Sequence, residues 1–346
     1  MTRVLTTEPE LSQFAGSVRA MIAAHSPVDA TRAGAGAPMD PAWWQTWAAE
    51  MDLPGLLVGE ADGGAGAELD AAAIAATELG AGLVPGPLTS TMLAGLALSR
   101  AGASKAAGRI AAGTAPAALV LADAHDLTAG EQVSGTIPTL DHAADLAVVV
   151  AVIGNRLAVL ETGTATVTPV EHPLDETRRA GRMTFAGADA KFFDITAELA
   201  TELVVAATVL AAAEQFGLMR HALAESVEYL NARTAFGRVV GSFQGLKHQL
   251  AELACEVAQA DALLADAVAA AMNRDADAEL AAVAAWCRIA AAGTHVVSEC
   301  LRLHGGIGYT WEHDAHLWFR RARHNQSARG RLVVQRQRLA ELLGLG

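Results

Sequence analysis

Aromatic side chains are scarce, at 5% of 346 residues, so the core cannot rest on stacked rings. Alanine, leucine and valine must fill it, and an apolar share of 52% against 18% charged excludes a disordered polypeptide. Cysteine is limited to Cys255, Cys287 and Cys300, odd in number and far apart, which argues against a disulfide framework and predicts reduced core thiols in a cytosolic protein. Positive charge falls short: 25 Lys and Arg face 38 Asp and Glu, and a net charge of −13 disfavours nucleic-acid or anionic-membrane partners. The longest candidate membrane stretch, Leu203 to Ala213, is well short of the ~20 apolar residues of a span. The opening MTRVLTTEPELSQF carries acidic and polar residues where a secretory signal needs an apolar run. A soluble, cytoplasmic chain is the expectation.

What is present is alanine, the best helix former, which loses no side-chain entropy on folding. Apolar positions recur three and four apart through Leu11–Ala24, Pro41–Met51, Leu69–Leu79 and Leu88–Ala101, with Asp62–Gly66 and Gly82–Pro87 breaking the run. Short β-branched runs then follow at Ala117–Ala122, Ala147–Val152, Leu157–Leu160 and Ala165–Val170, separated by turn residues. After about Ile195 the helical period returns over Glu198–Thr234, Gln244–Met272, Asp277–Leu303 and Glu312–Arg323, long enough for a bundle. The predicted fold is mostly α with a small central β domain: a helical domain over 1–115, a β domain over 116–195 and a helical bundle over 196–346.

The most distinctive segment runs from Tyr229 through Arg233, Phe236 and Gly237 to Gln244. Arg233 is expected at a helix–helix corner, with Gly237 permitting the turn and the Ser242 hydroxyl capping the next helix. A guanidinium there can grip a phosphate bidentately, with Phe236 offering an apolar face and Gln244 an amide. A purely structural hairpin, with Arg233 capping carbonyls and Phe236 in the core, fits the spacing too. The second segment is Leu301-Arg302-Leu303-His304-Gly305-Gly306-Ile307-Gly308-Tyr309-Thr310-Trp311-Glu312. Its glycines let backbone approach a ligand and expose N–H groups to phosphate, or they simply stop a helix; Thr310 is then a plausible N-cap for the next one.

Together these segments resemble the acyl-CoA dehydrogenase family, flavoproteins that take two hydrogens from the α and β carbons of a CoA thioester. Other stretches are similar to that family in the same order. They are Leu53-Pro-Gly-Leu-Leu-Val-Gly-Glu60-Ala-Asp-Gly63-Gly64-Ala-Gly66, with Gly59 where Pro is usual, Thr77-Glu78-Leu79-Gly80, Ala143-Ala144-Asp145-Leu146 and Leu174-Asp175-Glu176-Thr177-Arg178. The resemblance implies an N-terminal helical domain, a β domain and a C-terminal four-helix bundle. It also implies FAD: Arg233, Phe236 and Gln244 would grip the pyrophosphate and adenine side of a neighbouring protomer's flavin, and Gly305 and Gly306 would receive the same moiety. Arg302 stands where the family usually has Gln, beside that pyrophosphate.

Two departures carry the functional expectation. The family's α-proton base is a Glu, and ungapped counting from Gly305-Gly306 puts its commonest place at Arg329-Gly330; the alternative place on the first bundle helix falls at Ala207. Arginine is no base at neutral pH. The family's Thr-Glu and Gly-Ser-Asp flavin-ring segment also has no counterpart after Ala117-Ala-Leu-Val-Leu-Ala-Asp-Ala-His125, and the β domain looks shorter. The resemblance thus implies a subunit with no catalytic residue of its own. It would complete the FAD site of a sister subunit in a heterotetramer that oxidises acyl-CoA to trans-2-enoyl-CoA, with an acceptor such as an electron-transfer flavoprotein. A bulky, steroid-like acyl group would fit such a shared site.

Two alternatives stand beside this. One is a self-sufficient enzyme with a base relocated to Glu202, Glu214 or Glu225, residues that otherwise serve helix pairs or surface; the other is a flavin-free scaffold subunit. His313 and His316 stand three apart, with His295, His304 and His324 nearby, but no acidic or cysteine ligand accompanies them, so no metal is expected. The arginines of Arg320–Arg338 read as a solvated amphipathic helix end that could favour CoA phosphates, and Trp43, Trp44 and Trp47 as core or subunit packing.

Overall fold

The computed structural model describes residues 9–345; the first eight residues of the segment read against a secretory signal lie outside them. The described residues divide into two compact units, one of residues 9–33, 73–84 and 208–345, the other of 34–72 and 85–207. The expected mostly helical fold with a small β domain is what forms. In chain order the helices are α1 (Pro9–His25), α2 (Val28–Ala33), α3 (Pro41–Met51), α4 (Leu69–Ala81), α5 (Leu88–Arg100) and α6 (Ser104–Ala111), then α7 (Ala197–Ala232), α8 (Gln244–Met272), α9 (Ala278–Leu303), α10 (Ala315–Asn325) and α11 (Leu332–Leu342). The strands β1 (Ala117–Val120), β2 (Thr128–Ala129), β3 (Val133–Leu140), β4 (Val148–Ile153), β5 (Arg156–Glu161), β6 (Thr166–Pro169), β7 (Gly181–Ala188) and β8 (Ala190–Asp194) separate the two helical series, and β9 (Thr234–Ala235) and β10 (Arg238–Val239) make a small ribbon between α7 and α8.

In the β-containing unit two four-stranded sheets form, ordered β1-β4-β5-β8 and β2-β3-β7-β6. Only β1 and β4 run parallel, in register from Ala117↔Val148. Strand β4 is a continuous apolar run because it is buried along five of its six residues, whereas β3 alternates and exposes one face. Val149, Ala151, Ala158 and Leu160 from one sheet join Val133, Ile137, Met183 and Phe185 from the other in one core. Helix α5 is tied to β1 through Thr91, whose Oγ1 donates to the Ala117 carbonyl at 2.9 Å. Trp44 and Trp47 are buried, with Trp44 Nε1 donating to Gly113 O at 2.7 Å, so this pair is core.

In the bundle unit α9 is the central helix. Ala282, Ala285, Trp286, Ile289, Gly293, Val296 and Cys300 recur three or four apart and are all buried. Small residues let helices approach closely where α4 meets α7: a Cβ on Gly217 would stand 1.9 Å from the Thr77 carbonyl oxygen, and one on Gly80 would stand 2.3 Å from that of Glu214. Glu78, buried beside this crossing, accepts from Arg19 at 2.9 Å and Arg220 at 2.8 Å. The Thr77–Gly80 stretch is therefore a packing motif.

Three sequence expectations need correction here. Cys287 and Cys300 are buried, but Cys255 is exposed, because it lies on the outward side of α8. The arginines of Arg320–Arg338 do not form one solvated helix end: they are spread over α10, the link that holds Arg329 and Arg331, and α11; Arg321 is buried against Glu214, and Arg338 pairs with Glu279 at 2.7 Å. The Leu203–Ala213 stretch belongs to a longer apolar helix than its run suggests. Helices α7 and α9 are long and apolar enough to cross a membrane by length and composition, with 83% and 67% of their apolar windows buried inside the protein.

Candidate functional site

The corner after α7 is built by backbone bonds: Arg233 N–H donates to Tyr229 O at 3.0 Å, and Val240 N–H donates to Arg233 O at 2.8 Å. Between them β9 and β10 pair, Ala235 opposite Arg238. Phe236 and Gly237 at the tip have φ of +53° and +76°, two successive left-handed residues as a tight hairpin turn needs. The left-handed conformation strains a ring-bearing residue, and Phe236 is 95% exposed, touching only the edge of Phe243 at 6.3 Å among the aromatic rings. A core role for Phe236 is thus ruled out. Arg233 is exposed, its guanidinium 5.8 Å from the Tyr229 ring, and Gln244 is exposed as the first residue of α8. Ser242 does not cap α8; its hydroxyl donates to Val239 O at 2.6 Å inside the preceding 3-10 turn, and Phe243 takes the cap position.

The second segment starts where α9 ends. His304 is 4% exposed and its Nδ1 bonds the Cys300 carbonyl at 2.8 Å, while Gly305, at φ +66°, turns the chain into the 3-10 stretch Gly305–Tyr309. A Cβ on Gly305 or Gly306 would meet nothing within 4 Å, so both present open backbone. Arg302 is engaged one turn back with Glu299 at 2.8 Å. Thr310 does not cap the next helix: its hydroxyl donates to Ile307 O at 2.8 Å, and α10 starts later, after Asp314.

Tyr229 brings the two segments together. Its hydroxyl donates to His304 O at 3.4 Å and its ring lies 4.6 Å from the His304 ring, with Arg233 on its other contact. Neither Tyr229 nor His304 was singled out from sequence as a support. The signal available was the one-turn spacing of Tyr229 from Arg233. Phe236, Ile307, Tyr309 and Trp311 leave exposed apolar surface around these segments.

The two places counted for a base converge. Arg329 Nε donates to Thr208 Oγ1 at 3.1 Å, and Thr208 follows Ala207 on α7. Of the glutamates on α7, Glu202 pairs with Arg100 at 3.1 Å. Glu214 is buried and accepts from Arg321 at 3.3 Å and Asn325 at 3.1 Å. Glu225 differs: burial, aided by the carboxylates of Asp314 and Glu228, pushes it up to about 7. In the β-containing unit, His125 closes the run that lacks the flavin-ring segment, and both its ring nitrogens are used internally, on Val152 O at 2.9 Å and Leu127 N–H at 3.0 Å.

One group of side chains bears on the expectation that no metal is bound. Folding brings a carboxylate from α7 beside two histidines: Glu225, His304 and His313 each present one ligand atom, all within 4.8 Å of one another. Of the other histidines, His221 approaches the same carboxylate, its Nε2 3.7 Å from Glu225. His295 pairs with Glu256 at 2.9 Å, and His316 lies against Trp311.

Comparison with known proteins identifies the family. Residues 8–115 match the acyl-CoA dehydrogenase N-terminal domain and residues 198–344 the C-terminal domain. The chain is 37% identical over 323 residues to acyl-CoA dehydrogenase IpdE2 of Mycobacterium tuberculosis, covering 92% of each. It is 38% identical over 291 residues to acyl-CoA dehydrogenase FadE34 of the same organism, covering 81% of this chain and 39% of that one. Among solved structures, a variant of the Tcur3481-Tcur3483 steroid ACAD superposes with a TM-score of 0.86 at 25% identity, over 97% of this chain and 98% of that one. The ChsE4-ChsE5 complex of Mycobacterium tuberculosis shares the fold, at a TM-score of 0.87 and 21% identity over 99% of each chain. The chain belongs to the acyl-CoA dehydrogenase family.

Proposed function

We propose that the chain is one subunit of a heteromeric, FAD-dependent acyl-CoA dehydrogenase, and that it completes the FAD site of a sister subunit carrying the catalytic glutamate. The observation that carries this reading is a contrast within one chain: Arg329 stands beside Thr208 where the resemblance places a base, while Arg233, Phe236, Gly305 and Gly306 are exposed and free to meet a cofactor held by a neighbour.

The residues present fit the cofactor. Arg233 supplies a guanidinium for pyrophosphate oxygens, Gln244 an amide, and the open backbone of Gly305 and Gly306 allows close approach. Phe236, left-handed at the hairpin tip and 95% exposed, holds out an apolar face for the cofactor in this reading. Arg302, engaged with Glu299, lies outside this set. FAD held by these residues would supply the acceptor for a hydride from the acyl β carbon, with a base needed for the α proton, the chemistry that gives trans-2-enoyl-CoA. Arg329 can hold no such proton at neutral pH, so in this reading the base comes from the sister chain. The steroid ACAD among the structural relatives supports a bulky acyl-CoA, and an electron-transfer flavoprotein would reoxidise the complex. Net charge of −13 and mostly buried apolar helices support a soluble, cytoplasmic assembly.

One observation favours a relocated base: Glu225 with its raised carboxyl. It lies eighteen residues past Ala207 on the same helix, which at ~1.5 Å per residue is ~27 Å away, beside the glycine loop. That distance argues against it.

The test is the co-expressed complex with Arg233→Ala or Gly306→Ala in this chain. Loss of flavin absorbance at unchanged subunit stoichiometry is expected. Unchanged flavin content contradicts the reading and makes the chain a scaffold.

A further inference from the structure

We propose that Glu225, His304 and His313 bind a divalent first-row transition ion, with Zn2+ as the fitting occupant, and that the ion staples the Gly305 loop to α7 and to the segment entering α10. The three ligands come from three separate places in the chain, and their ligand atoms lie within 4.8 Å of one another. Two imidazoles and a carboxylate suit Zn2+ or Co2+ in chemistry and number, with a fourth position left for water. Ligand distances of ~2.1 Å require the three atoms to close to ~3.5 Å, a small inward movement of side chains.

A second observation points to a ligand independently. His304 is 4% exposed, and among the described residues its buried Nε2 has no hydrogen-bond partner. Its Nδ1 bonds the Cys300 carbonyl at 2.8 Å, so that nitrogen carries the proton and the Nε2 lone pair faces the cluster. This is the arrangement in which a backbone carbonyl fixes the tautomer of a metal-bound histidine. The Tyr229 ring closes one side, 4.6 Å from His304 and 6.0 Å from His313. Glu225 Oε1 lies 4.0 Å from His313 Nε2, and Asp314 and Glu228 add negative charge nearby.

His313 must change its hydrogen bond to take part. Its Nδ1 accepts from Ala315 N–H at 3.1 Å, so Nε2 holds the proton in the ion-free protein. Ligation through Nε2 transfers that proton to Nδ1 by way of solvent and releases the Ala315 amide at the first residue of α10. Binding therefore has a local signature.

Chelator-stripped full-length chain titrated with Co2+, then competed with Zn2+, tests the site. The expected result is one ion per chain, a visible d–d band from mixed nitrogen and oxygen ligation, and a shifted, faster-exchanging Ala315 amide. Glu225→Gln, nearly isosteric, and His313→Ala should each weaken binding by at least ~10-fold, since even outer-shell changes cost 10–100-fold. His295→Ala, outside the cluster, should leave it unchanged. Absence of stoichiometric binding, or equal affinity in a folded Glu225→Gln chain, overturns the proposal.

Discussion

Arg329 Nε donates a hydrogen bond to Thr208 Oγ1 at 3.1 Å. Two stretches more than a hundred residues apart thereby meet, and they are the two on which the family resemblance places a base. A fixed guanidinium at that junction stabilises negative charge and takes no proton. The outward surface of Arg233, Phe236 and the paired glycines has no such deficit.

Phe236 offers a stability test. A left-handed non-glycine residue costs ~1–3 kcal/mol, and the ring makes little contact within the chain. Phe236→Gly should raise stability by ~1 kcal/mol, a gain of ~2 °C in melting temperature for a chain of this size. The same variant should weaken flavin binding by the complex, read as flavin released on dilution.

Two glycines separate fold from function. Gly217→Ala drives a methyl to 1.9 Å from the Thr77 carbonyl and should cost ~3 kcal/mol or more, seen as a lower midpoint in urea. Gly306→Ala meets nothing within 4 Å among the described residues and should melt as the wild type does, while the complex loses flavin.

His221 stacks on Trp318 at 4.4 Å, and burial together with the Arg220 charge pushes its imidazole down from 6.5 to about 4. The unfolded chain takes up a proton that the folded one refuses between those values. Stability present above pH 6.5 is therefore lost as pH falls toward 4 and no further below it. The slope stays under ~1.4 kcal/mol per pH unit, one proton's limit, because 36% of the side chain remains exposed. Glu225, 3.7 Å away and raised to about 7, works in the opposite direction, so the wild-type profile alone hides both. The melting difference between wild type and His221→Gln, measured in chelator, should shrink from pH 6.5 to 4; a constant difference contradicts the assignment.

Most of the helical fold was legible because alanine-rich stretches keep a clear period, as α3 and α9 show. Strands β4 and β5 were legible as apolar runs. Strand β3 was not, since Val133-Ser-Gly-Thr-Ile-Pro-Thr-Leu140 mixes turn formers with its buried Val133 and Ile137. Helix α11 was hidden by its arginines, with Gln335 its one buried residue. Arg233, Phe236 and the glycines could be picked out by residue type. The Tyr229–His304 contact spans 75 residues of sequence, and the Glu225 carboxylate reaches its histidines only through the packing of α7 against the end of α9. No local pattern encodes either.

The central claim rests on one measurement: flavin content and dye-coupled acyl-CoA turnover of this chain purified alone and of the same chain co-expressed with a sister dehydrogenase subunit that keeps the glutamate. Flavin and turnover only in the complex, abolished there by Glu→Gln in the sister chain, are the predicted result. Stoichiometric flavin and turnover by the chain alone would contradict the account.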